Sequence, residues 1–208
     1  MLLLPPIMKE DILDTATDMF LTLGFKSVTM DDIAEKLSIS KKTIYSHFPN
    51  KGKLVEACAI ELFNCITAGI DEIIAEEHNP IDELLKIHEF ILKRLKEEKA
   101  SPQFQLCKYY PKVDETLKEL KVERMKLSIG NNLKRGKENG YYRQDIDNEI
   151  VLNFYFMTLE GIKDSEYFPM DKYTIPYLVS HFLDYHFRAI ASQKGLEYIN
   201  NLNHKCNS

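Results

Sequence analysis

The stretch SKKTIYSHFPNK runs from Ser40 to Lys51, and its reading decides the fold. It holds three lysines, a tyrosine, a histidine and small hydroxyls, with no carboxylate, in a chain of 32 Asp+Glu against 27 Lys+Arg. The pattern is that of one short amphipathic helix. Ser40 is the kind of residue that caps a helix start, and Pro49 stops one. Ile44 and Phe48 are four apart and share a face, which leaves Lys41, Lys42, Thr43, Tyr45, Ser46 and His47 pointing outward. Cations and hydroxyls suit phosphates, and the first turn of such a helix offers donors and acceptors to base edges. An Asp or Glu there would face a polyanion.

Upstream, Thr29 caps another short helix, with Asp32 three residues on in a capping-box arrangement and Ile33, Ala34 and Leu37 as its apolar face. Ser38-Ile39-Ser40 is then the turn between two short helices. Ala34 is small enough for the second helix to cross closely, and Ile39 and Ile44 fill the gap between them. The first helix of the chain covers 7–23, with Ile12, Leu13, Ala16, Met19, Phe20 and Leu23 on one side and Gly24 as its stop. From Lys36 to Val55 there are five lysines and no acid, although the net charge is -5. Positive potential concentrated in so short a region is the footprint of a directed phosphate contact. The arrangement is a helix-turn-helix, whose second helix enters the major groove.

The wider string from Gly24 to Ala57, GFKSVTMDDIAEKLSISKKTIYSHFPNKGKLVEA, resembles the DNA-binding domain of the TetR family of bacterial transcriptional regulators. The matching elements are Phe20 with Gly24-Phe25, Thr29 before Asp32-Ile33-Ala34, Leu37 with Ile39-Ser40, Thr43-Ile44-Tyr45, and His47-Phe48 followed by Asn50-Lys51 and Leu54. The resemblance covers about a quarter of the chain and is specific, because a dozen positions agree in register. It implies a DNA-binding set of Thr29, Ser40, Lys41, Lys42, Thr43, Tyr45, Ser46, His47 and Lys51. In that set Thr29, Tyr45, His47 and Lys51 contact phosphates, Lys41, Lys42 and Thr43 open the recognition helix, and Ser46 reaches a base or the backbone. Asp31 departs from the pattern, standing where some members place a base-reading side chain. The resemblance further implies a homodimer on a pseudo-palindromic operator, most often a repressor, with a small-molecule effector of apolar or aromatic character. Effector binding would tilt the fourth helix and change the spacing of two recognition helices that must match about 34–36 Å. An activator or nucleoid-associated member is the alternative within the family. A helical ligand- or partner-binding module without operator activity is the alternative outside it.

The rest of the chain is helical in period, so the fold class is all-α. Asn50 caps a long fourth helix through Leu54, Cys58, Leu62, Ile66 and Ile70, which Asn79-Pro80 breaks. A fifth follows through Leu84, Ile87, His88, Ile91 and Leu95. Ser101-Pro102 opens a short segment, Pro111 begins a strongly charged helix, and Gly136 with Asn139-Gly140 marks its end. Two aromatic helices cover about 147–164 and 172–192. This gives three regions: the helix-turn-helix domain at 8–50, a helical regulatory and dimerisation domain at 51–194, and a polar, frayed tail at 195–208. Ile150, Val151, Phe154, Tyr155, Thr158 and Ile162 form one apolar stripe, and Ile175, Leu178, Val179, Phe182, His186 and Ile190 another. Two such helices from each chain would build a four-helix dimer interface, centred on Phe154, Thr158, Ile162, Leu178, Val179, Phe182 and His186; the alternative is that both stripes face their own domain core. Phe104, Cys107, Tyr109, Tyr110, Tyr155, Phe156 and Phe168 are dense enough to line an apolar cavity, but no single ligand contact can be named among them.

Other chemistries find no support. His88-Glu89 begins like a zinc-protease motif but ends in Leu92, and His181 and His186 are about 140° apart around a helix, a poor chelate. Nucleotide-binding and nucleophile-elbow glycine motifs are missing. No enzyme activity, metal or cofactor is expected. Cys58, Cys65, Cys107 and Cys206 make no ligand-like cluster, which suits a reduced cytoplasmic protein. No window approaches the ~18 apolar residues of a membrane span. The apolar opening MLLLPP lacks a positive n-region, and Met8 is an alternative start.

Overall fold

The structure is a computed structural model, and it describes residues 9–95, 102–162, 166–169 and 171–206, the side chains of 102–104 and 203–206 excepted. Residues 1–7, Met8 and the side chain of Phe104 lie outside that description. Among the described residues there are ten helices and no strand: α1 Lys9–Leu23, α2 Met30–Lys36, α3 Lys41–His47, α4 Lys51–Ala75, α5 Pro80–Arg94, α6 Pro102–Tyr109, α7 Pro111–Glu138, α8 Asn148–Gly161, α9 Ile175–Ile190 and α10 Gln193–Cys206. The chain divides into two compact units, one of residues up to Ala68 with 98–120, the other of 69–97 with residues from Lys121 on. Both α4 and α7 therefore begin in the first unit and end in the second.

The first unit is built as the periodicity predicts. Ile12, Leu13, Ala16 and Phe20 are the buried side of α1. Gly24 then turns at φ 86, a left-handed conformation that glycine adopts without a Cβ penalty. Thr29 and Asp32 form a reciprocal capping box at α2, and the Ser40 hydroxyl accepts the Thr43 amide at α3. The turn between them carries Ser38 at φ 55, a conformation that strains a residue other than glycine. Ile33, Ala34, Ile44, Phe48, Leu54, Val55 and Cys58 close the core, with Leu106 and Leu117 from α6 and α7.

In the second unit Asn79, Asp147 and Thr174 cap α5, α8 and α9 with their side-chain oxygens. Ile81, Leu84, Leu133, Tyr155, Leu183 and Phe187 fill the core. Two elements differ from the sequence reading. The first is α7, which ends at Glu138, just before Asn139-Gly140 as read, with Gly136 inside the helix and not at its stop. Gly136 is needed inside that helix, because the Tyr142 ring lies where its Cβ would be. The second is the stretch read as a frayed tail, whose described part is α10 with Ile199 buried. Polar composition hid its anchors. Ser192 donates to the Gly140 carbonyl at 2.5 Å and accepts the Gly195 amide, while Tyr198 donates to Asp82 Oδ2 at 2.5 Å.

Candidate nucleic-acid interface

Seven of the nine residues of the inferred set lie on α3 or its cap, and the local fold decides which atoms they present. Ile44 and Phe48 are buried, so the helix has one rotation about its axis. Lys41, Lys42, Tyr45, Ser46 and His47 are consequently exposed, and Thr43 is half-buried. Lys41 with Tyr45 and Lys42 with Ser46 make two adjacent i, i+4 rows. The Ser40 and Thr43 hydroxyls are 2.9 Å apart, and Ser46 donates to the Thr43 carbonyl at 2.6 Å. These hydroxyls help hold the helix in shape.

Thr29, Lys41 and Lys51 each have an internal partner. The Thr29 amide and hydroxyl both donate to Asp32 Oδ2, at 2.7 and 2.8 Å, and hold that carboxyl below the usual range. Lys41 donates to Asp31 Oδ2 at 2.8 Å, and this hydrogen bond raises the lysine above its ordinary value. The departure seen at Asp31 thus has a structural role, since its carboxylate offsets one charge of the recognition helix. Lys51 Nζ donates to the Phe25 carbonyl at 2.5 Å and is half-buried; burial lowers its pKa, and nearby Asp32 partly restores it. Lys42, Tyr45 and His47 remain the least encumbered polar groups of the surface. Ser38, whose strain shapes the turn, has no local sequence signal, because Ser is common in turns of every kind.

The residues inferred for dimerisation separate into two groups. Ile162, Leu178, Val179 and His186 are buried within the core of the second unit, and Phe182 is half-buried with its ring 5.2 Å from that of Tyr155. These five face their own unit. Phe154 and Thr158 are exposed, and with Phe154 at 64% go Ile150 and Met157 on α8 and Tyr177 and Tyr185 on α9. The open apolar face of these helices therefore keeps Ile150, Phe154 and Thr158 of the first stripe, whereas Leu178, Val179 and His186 of the second are buried in their own unit. The aromatics that suggested a cavity are also divided: Cys107, Tyr109 and Tyr110 belong to the first unit, Tyr155, Phe156 and Phe168 to the second.

The second unit holds polar groups that sequence reasoning passed over. Glu83, 1% exposed, pairs with Arg135 and accepts from Asn132 at 2.8 Å, and Tyr142 donates to Asn132 Oδ1 at 3.0 Å. Glu83 reads as an ordinary surface acid of an amphipathic helix; only its partners on α7 reveal it as a core residue. A cleft of about 370 Å³ opens beside this pair, lined by Ile74, Glu77, Ser128, Asn131, Lys134 and Glu138. Among the described residues, no group of three or more His, Cys, Asp or Glu is placed to hold a metal ion. No helix among them is long and apolar enough to cross a membrane.

Residues 12–58 match the family described as bacterial regulatory proteins, tetR family. Along more of the chain, the HTH-type transcriptional repressor KstR2 of Mycobacterium tuberculosis is 23% identical over 151 residues, 70% of this chain and 74% of that protein. IcaR of Staphylococcus aureus, negative transcriptional regulator of the biofilm operon icaADBC, is 36% identical over 62 residues, 28% of this chain and 33% of its own. A transcriptional regulator from Saccharomonospora viridis, solved in complex with choline, superposes with a TM-score of 0.68 at 19% identity, covering 88% of this chain and 96% of that one. At that identity the likeness is one of fold.

Proposed function

We propose that the chain, whose residues 12–58 match the bacterial regulatory proteins of the tetR family, is a ligand-responsive repressor that binds a pseudo-palindromic operator as a homodimer in the cytoplasm. The observation that carries this reading is the outward face of α3. Lys42, Tyr45, Ser46 and His47 stand exposed on a helix whose inner side is locked by Ile44, and that helix has no carboxylate. Lys42 and Thr43 open the helix and meet base edges, while Tyr45, His47 and Lys51 position the unit on phosphates.

Residues 8–50 serve DNA, and 51–194 serve effector and partner. The exposed Ile150, Phe154 and Met157 of α8, with Tyr177 and Tyr185 of α9, form the contact with the second copy. Exposed aromatic and methionine side chains clustered on two neighbouring helices have the composition of an interface centre. An apolar or aromatic effector enters the second unit, and α4, which carries Lys51 at its first turn, conveys the change to the DNA-binding helices.

Mobility shift with the DNA flanking the protein's own gene tests this reading. A discrete complex resistant to competitor DNA is expected, together with weaker binding and altered sequence preference for Lys42→Ala. For Lys51→Ala it is the salt dependence that should fall, by about one phosphate contact. Binding no stronger than to competitor DNA at every salt concentration would refute the assignment.

A further inference from the structure

The core of the second unit contains two histidines on different helices, His88 of α5 and His186 of α9, each less than a tenth exposed. Tyr155 of α8 lies with both. Its hydroxyl is 2.5 Å from His88 Nε2, and its ring is 5.0 Å from the His186 ring in an edge-on arrangement. Phe182 and Phe187 close the other sides of His186, at 5.6 and 6.0 Å between ring centres. His186 Nε2 is buried without a hydrogen-bond partner within the protein.

The charges near this cluster are committed elsewhere. On α5, Glu83 is satisfied by Asn132 and Arg135, Lys86 pairs with Glu76, and Glu89 with Lys93. On α9, Asp184 and Arg188 pair with each other on the exposed side. A neutral imidazole needs one acceptor or donor per nitrogen, whereas an imidazolium needs two acceptors and a counter-charge. The cluster offers one phenol oxygen and aromatic rings. On α8 the charged residues are Glu149 and Glu160, and among the described residues no carboxylate acts on either imidazole.

We propose that His88, Tyr155 and His186 form an acid-sensitive latch: protonation of either imidazole parts α5, α8 and α9 and, by disturbing the face that α8 and α9 present to a second copy, releases DNA. The release of DNA rests on the function proposed above; the latch itself does not. Burial, with the neighbouring imidazole adding to it, lowers the pKa of His88 to about 4, and burial lowers that of His186 to about 4. In the unfolded chain both return to about 6.5. The folded values are the depressed ones, so the unfolded state takes up protons first as pH falls. The stabilisation is complete above about 6.5 and is lost progressively from there towards about 4. Between pH 7.5 and pH 5 each imidazole should shift the unfolding equilibrium by roughly 30-fold.

The test is urea unfolding of the full chain at pH 7.5 and 5.0, for the wild type and His186→Phe. The phenylalanine keeps a ring in the site and removes both the unpartnered nitrogen and the titration. The variant should match or exceed the wild type at pH 7.5 and lose roughly 30-fold less at pH 5. Should it fold poorly, proton NMR of the wild type decides. Of the six histidines, two should keep their neutral C2–H shifts down to about pH 5. Operator affinity is then measured from pH 7.5 down to about 4, where the two buried imidazoles of the folded chain take up protons. It should fall in acid for the wild type and fall less for His186→Phe, which keeps only His88. Equal acid sensitivity of the two proteins, or six histidines titrating near 6.5, overturns the latch. A chain that binds no DNA at any pH would refute the repressor reading and leave the unfolding test intact. A wild type whose DNA affinity ignores pH while its fold does not would overturn the release step.

Discussion

Helix α7 contains two glycines, Gly130 and Gly136, and the same substitution at each should have opposite effects. Glycine inside a helix costs about 1 kcal/mol relative to alanine, so alanine at either site gains that much from the backbone alone. At Gly130 a Cβ meets nothing within 4 Å, and Gly130→Ala should realise the gain as about 1 kcal/mol, or a midpoint roughly 2–4 °C higher. At Gly136 a Cβ would lie 1.9 Å from Tyr142 Cδ2 and 2.2 Å from Cε2, so the ring must retreat by about 1.5 Å to reach van der Waals contact. It has little room to do so. Tyr142 is 1% exposed, its amide and that of Tyr141 both donate to the Gly136 carbonyl, and its hydroxyl donates to buried Asn132. Overpacking costs about 1–3 kcal/mol, and leaving Asn132 Oδ1 unsatisfied another 1–3 kcal/mol. After the propensity gain, Gly136→Ala should be destabilising by about 1–5 kcal/mol. Thermal unfolding of both variants measures the contrast, and Tyr142→Leu as a background should relieve much of the Gly136→Ala penalty. A Gly136→Ala protein as stable as Gly130→Ala would refute the packing argument.

Two further outcomes are expected. Asp31→Asn frees Lys41 and removes a carboxylate from the DNA face, so DNA binding should tighten. If one phosphate contact is gained, its affinity advantage over the wild type should be about 3.5-fold larger at 50 mM than at 200 mM salt. Phe154→Asp places a charge on the exposed face of α8, where the folded monomer tolerates it. Light scattering should show a monomer with unchanged helicity and weak DNA binding, whereas the same change at buried Leu178 should unfold the second unit.

Helix periodicity, caps and breakers are local, and the sequence by itself determined whatever depends on them. Ser40, Thr29 and Asn50 sit where an unpaired helix amide needs an oxygen, and the structure caps α3, α2 and α4 with those residues. The orientation of α3 was legible for the same reason, because Ile44 and Phe48 leave its polar residues one direction to face. The identity of what covers an apolar stripe is not local. Burial against one's own core and burial against a second chain produce the same spacing of Leu178, Val179 and His186, and only the tertiary structure assigned them to the core and Phe154 to the surface. Gly136 shows the limit in another form: a helix stop and a site of close ring packing both demand the missing Cβ, and Tyr142 decides between them. Glu83 and the imidazole pair complete the case. Their properties come from desolvation and from partners on other helices, Arg135 and Asn132 for the carboxylate and Tyr155 for the histidines. Those proximities exist only once the helices have packed.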